Sequence, residues 1–99
     1  MGKKLPPPQL ALYEEIDRLL WEVWDPIGIS DDPRARDEYY SYLPGVFSLA
    51  LNRCDLDEIA DRLHYIETVN MDLQGSRDHC HRVAQQICAA REKLLDPNV

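Results

Sequence analysis

Gln9-Leu10-Ala11-Leu12-Tyr13-Glu14-Glu15-Ile16-Asp17-Arg18-Leu19-Leu20-Trp21-Glu22-Val23-Trp24 places apolar side chains at Leu12, Ile16, Leu19, Leu20 and Val23. Spacings of three and four collect them into one stripe along a helix. Glu14, Glu15, Asp17, Arg18 and Glu22 fill the opposite side, and Trp21 and Trp24 extend the apolar surface near the end. Pro26 closes the segment, because the residue before a proline avoids the α region. An amphipathic helix of this length needs other helices to cover its stripe.

The rest of the chain supplies them. Residues 1–8 read as a flexible Pro-rich arm, in which Pro6-Pro7-Pro8 cannot enter a helix interior and Pro8 could serve a first helical turn. Residues 25–36 form the longest loop, shaped by Pro26, Gly28 and Pro33 and carrying apolar Ile27 and Ile29. Tyr40, Leu43, Phe47 and Leu51 predict a second helix over 37–51, capped by Asp37. Pro44 either kinks that helix or starts it afresh. Asp55 and Glu58 make a capping-box pattern for a third helix that carries Ile59, Leu63 and Ile66 and fades near Val69. After the Gln74-Gly75 turn, Ser76 opens a fourth helix running to Leu95, with Val83, Ala84, Ile87, Ala90, Arg91 and Leu94 on one face. The expected fold is all-α: one four-helix bundle-like domain over 9–95, a long loop between its first two helices, and a frayed tail over 96–99.

Composition narrows the function. The 99 residues carry a net charge of −7. Residues 13–72 hold 15 acids against five arginines, a net of −10, whereas residues 76–99 carry +1. Such a body repels a phosphate backbone, so no nucleic acid partner is expected; a basic protein fits the charge. No apolar run approaches the ~18–20 residues that span a bilayer, and the prolines behind Lys3-Lys4 leave no signal-peptide core. A cytoplasmic, membrane-free protein is expected. Cys54, Cys80 and Cys88 are read as reduced thiols; Cys80 and Cys88, about 12 Å apart along one helix, cannot pair with each other.

Candidate chemistry is sparse. His79-Cys80-His81 looks like a metal cluster, but residues two apart on a helix diverge by about 200°. No second Cys/His pair completes a tetrahedral set. His64 and Glu67 share a face at i and i+3, the reverse of the Glu-x-x-His order in di-iron bundles. Cys80 lacks a base on its own side of the helix. Phosphate-binding and hydrolase motifs are missing. The reading is therefore a non-enzyme with no catalytic residue, no metal and no cofactor. Trp24, Asp25, Asp31, Asp32, Asp37, Glu38, Tyr39 and Tyr42 combine aromatics with acids and are the candidate partner-binding set. Two rival readings are a metal-binding or enzymatic bundle using His64, Glu67, His79 and Cys80, and a homo-oligomer burying surplus Trp21, Trp24 and Phe47.

The stretches Trp24-Asp25-Pro26-Ile27-Gly28, Asp37-Glu38-Tyr39-Tyr40-Ser41-Tyr42 and Ile66-Glu67-Thr68 with Met71-Asp72-Leu73 resemble a widespread family of small bacterial helical proteins known only as a domain of unknown function. Its pattern is W-D-P-I-G, D-E-Y-D-x-Y and I-E-x-x-x-M-G-L, and the likeness covers about residues 10–95. Tyr40 stands where the family has Asp, and Asp72 where it has Gly, which leaves in doubt any function carried by those positions. The resemblance implies a helical bundle and a bacterial origin, and brings no activity. Small acidic bacterial proteins of this kind include immunity proteins encoded beside toxins, so the expected function is an acidic, immunity-like protein-binding module.

Overall fold

The prolines that cannot continue a helix start two of them here. In the computed structural model, residues 5–28 and 32–95 are described, so residues 1–4 of the arm, the 96–99 tail, Ile29 and Asp31 lie outside the described residues. Helix α1 spans Pro7–Leu19, with Pro6 at its N-cap. It thus begins two residues before the expected Gln9, because the N–H that proline lacks is unused in a first turn. The chain continues through a wider π-helical turn, Leu20–Trp24, and leaves the helix at Asp25 in a left-handed conformation (φ 31°). The extra residue in that turn shifts the helical phase. Trp21 and Trp24 are consequently buried, while Val23 is only half-buried.

The long connection holds two short 3₁₀ turns, Pro33–Ala35 and Tyr40–Tyr42. Helix α2 follows over Leu43–Asn52, with Pro44 in its first turn. Pro44 therefore starts the helix and does not kink it. The expected helical stretch 37–42 is turn, and Asp37 lies six residues upstream of the helix it was expected to cap. Helix α3 spans Leu56–Tyr65, where Asp55 Oδ1 accepts the Glu58 N–H at 3.1 Å. It too ends in a π turn, Ile66–Asn70. Helix α4, Arg77–Leu95, is capped by Ser76, whose Oγ accepts the His79 N–H at 3.3 Å.

The four helices make an all-α bundle, and no strand occurs among the described residues. Helix α4 packs along both α1 and α3, and α2 closes the assembly against α1 and α3. Leu12, Ile16, Leu19, Val46, Ala50, Ile59, Leu63, Val83 and Ile87 meet in its centre. Trp21 (8% exposed), Trp24 (1%) and Phe47 (8%) belong to the same core. The apolar surplus invoked for self-association is therefore satisfied within one chain. Among the described residues no helix is long and apolar enough to cross a membrane.

Candidate functional site

Both π turns end at one place. Trp24 closes the first, Glu67 lies in the second, and the two side chains meet in the interior. π turns recur at functional sites because the wider backbone re-aims side chains. Glu67 is the one buried charged residue among those described, with 2% of its surface exposed. A buried carboxyl group is tolerable only with hydrogen-bond partners. Glu67 Oε2 accepts the Trp24 indole N–H at 2.8 Å, and Oε1 accepts the Ser76 backbone N–H at 3.0 Å. The buried Cys80 thiol faces the charge of this carboxyl group. Burial, reinforced by the neighbouring Glu67 charge, pushes that thiol up to about 12, so Cys80 stays protonated at neutral pH.

The backbone is shaped around this carboxyl group. Leu73 N–H donates to Glu67 O at 2.8 Å, folding the 71–76 connection back over the π turn. Gly75 has φ 76°, and a Cβ there would come within 2.9 Å of Glu67 Oε1 and 3.2 Å of His64 Cδ2. Only glycine allows that approach. His64 and Glu67 do share a face, as their spacing requires, but at a closed junction with the 75–76 backbone. Asp72 has a left-handed backbone (φ 54°), a conformation Asp tolerates.

His79 and His81 separate, as neighbours two apart on a helix must. His79 Nε2 lies 2.8 Å from Val23 O and 3.2 Å from Trp24 O, so this nitrogen carries the proton and donates to carbonyls of the π turn that follows α1. His81 turns toward α3, 3.9 Å from Asp57 Oδ1. Both histidines are half-buried, where the sequence suggested that at least one is exposed. Among the described residues, no three His, Cys, Asp or Glu side chains converge as metal ligands.

A second polar contact locks the loop. Tyr39 OH donates to Asp25 Oδ1 at 2.8 Å and accepts the Ile27 N–H at 3.1 Å. Burial raises this phenol far above its usual value, helped by the bond to Asp25. Its ring lies 5.4 Å from Trp24 and 6.2 Å from Trp21. Trp24 is thus held between Glu67 and Tyr39. Outside this contact, Arg36 grips Asp17 with two bonds of 3.0 and 2.9 Å. Its guanidinium also stands 5.1 Å over Trp21 and 5.6 Å over Tyr40.

The candidate partner-binding residues therefore divide. Trp24 and Tyr39 are core (1% and 2% exposed) and support the surface without forming it. Asp25 is half-buried and bonded to Tyr39. Asp32 caps the Pro33–Ala35 turn through the Arg34 N–H. Asp31 is outside the described residues. Asp37 and Glu38 are exposed, and Tyr42 is half-buried. Tyr40, expected on the apolar stripe of the second helix, is 46% exposed, and Tyr65, which the sequence reading passed over, is 54% exposed. Nothing local distinguishes them from the buried Tyr39. That reading also missed Arg36, whose partners are Asp17 on α1, Trp21 in the π turn after it, and Tyr40. Tyr42 and Tyr65 line a hollow of about 200 Å³ with Ser41, Gly45, Arg62, Ile66 and Asn70. A separate cleft of about 360 Å³ opens beside the Trp24–Glu67 junction, walled by Glu22, Asp25, Pro26, Leu73 and His79. Set against known family models, curated proteins and solved structures, the chain matches none.

Proposed function

We propose that this chain is a non-catalytic module that binds a basic protein through the surface around residues 37–42. The observation that carries the reading is the split personality of that segment. Tyr39 is bolted into the core, while Asp37, Glu38, Tyr40 and Ser41 are exposed on either side of it. A segment pinned in this way pays little ordering entropy on binding. Exposed tyrosines next to acids combine the residue type that anchors interfaces with the charge that steers a basic partner toward them. The segment runs directly into the hollow shared with Tyr65, and the exposed Glu58 of α3 stands in the neighbouring hollow that Tyr65 also lines. A basic toxin held by an immunity-like protein is one partner of this chemistry.

The test is fluorescence anisotropy with labelled Lys/Arg-rich peptides beside neutral and acidic ones of equal length, at low and raised salt. Basic peptides should bind selectively, weaken with salt, and lose tenfold or more in affinity to a D37K/E38K/Y40A variant, about 1.4 kcal/mol. Equal binding of neutral peptides, or affinity indifferent to both salt and the three substitutions, would sink the reading.

A further inference from the structure

We propose that Cys54 and Cys88 are a reversible oxidation site, closing to a disulfide that fastens the end of α2 to α4 when a low-molecular-weight disulfide such as oxidised glutathione is in excess. The two sulfurs lie 2.7 Å apart, although 34 residues separate them in sequence. Formation of the bond, at about 2.05 Å, asks for only a small further approach. Cys88 Sγ also lies 3.0 Å from Cys54 O.

The backbone at Cys54 adds an independent reason. Cys54 follows α2 with φ 47°, and its N–H donates to Leu49 O at 3.0 Å. Helices normally place Gly in such a left-handed terminal position, where a Cβ is unfavourable. Here a side chain occupies it, and that side chain points at Cys88. Both cysteines are partly exposed, so a small disulfide reaches them, whereas Cys80 is fully buried. Arg91, one turn beyond Cys88 on α4, donates to Leu51 O at 3.3 Å and keeps a buried Nε without a partner. Its charge favours the Cys54 thiolate, against burial and the Cys88 contact that push the thiol up to about 12. Exchange is therefore slow at neutral pH and accelerates in alkali.

The chemistry balances. One protein thiol loses its proton and attacks the glutathione disulfide, forming a mixed disulfide and expelling one glutathione thiolate. The second protein thiol, deprotonated in turn, attacks the protein sulfur of that mixed disulfide and expels the other glutathione. One S–S bond breaks and one forms, and the two electrons and two protons of the protein thiols end on two glutathione molecules.

The full chain is equilibrated in glutathione buffers of graded redox ratio, quenched in acid, alkylated and weighed intact. Two of the three thiols should become unreactive together, without a retained glutathione adduct, and digestion should yield a Cys54–Cys88 linked peptide. The oxidised form should melt above the reduced one by about 5 °C or more. C80S should oxidise like the parent, whereas C54S and C88S, checked for helical content, should never form an internal bond. Three alkylatable thiols persisting in excess oxidised glutathione, or a linkage involving Cys80, would overturn the assignment.

Discussion

Replacing Glu67 tests whether the junction holds the bundle together. In Glu67→Ala, the Trp24 indole N–H loses its acceptor in a site where Trp24 is 1% exposed. An orphaned buried donor costs about 1–3 kcal/mol. The Ser76 N–H also loses its acceptor, but Ser76 is exposed and water replaces the bond at little cost. The space left by the side chain adds about 1–2 kcal/mol, partly offset because a carboxyl group is no longer buried. The expected loss is about 2–4 kcal/mol, a large share of the roughly 5–15 kcal/mol that holds a domain folded. Tm should fall by about 10–25 °C. Glu67→Gln keeps the shape but must turn an amide N–H toward one of the two donors, so it should lose about 1–3 kcal/mol. Urea unfolding followed by far-UV circular dichroism reads these changes. Repeating the pair in a Trp24→Phe background isolates the shared bond, because Glu67→Gln should then cost less. If Glu67→Ala stays within about 0.5 kcal/mol of the parent, or the double cycle is additive, the junction does not act as described.

Three further outcomes follow from the same contacts. Folding keeps the Cys80 proton up to about 12, against an ordinary value of 9.0, so stability present below pH 9 should decline as pH rises toward 12. Cys80→Ala should flatten that decline by at most one proton, ~1.4 kcal/mol per pH unit, in urea titrations at stepped pH. Arg36→Ala should cost about 1–2 kcal/mol by removing the Asp17 fork and the cover over Trp21 and Tyr40, and Arg36→Lys should recover less than half, since an ammonium cannot reproduce the fork; thermal melts decide it. Ser76→Ala removes the α4 cap and should lower stability by about 1 kcal/mol, whereas Ser76→Asp should hold it, as measured by the same urea titration.

What could be read in advance depended on the range of the interaction. The stripe Leu12, Ile16 and Leu19 buries as its spacing requires, and Asp55 and Ser76 cap the helices they precede, because periodicity and capping act within one or two turns. Pro44 left two outcomes open. The choice fell to a fresh start because Tyr39 is tied to Asp25 and packed on Trp24, holding residues 37–42 as turns before α2 can begin. The candidate site was legible only in part. Trp24, Asp25, Tyr39 and Glu67 were all singled out, but the first three as surface and the last as a metal-ligand candidate.

The amino-acid sequence by itself determined the helical class, the number of helices, most of their ends and the negative charge of residues 13–72, since each depends on residue type and local spacing. Tertiary structure alone decided which aromatics are core and which are exposed, and that Glu67 is buried. It also brought Cys54 against Cys88. Two π turns shift the phase of the chain at the ends of α1 and α3, where Trp24 and Glu67 meet, and a phase shift of one residue turns an outward side chain inward. That shift is set by what Trp24 and Glu67 find across 43 residues of chain, beyond the reach of any local pattern.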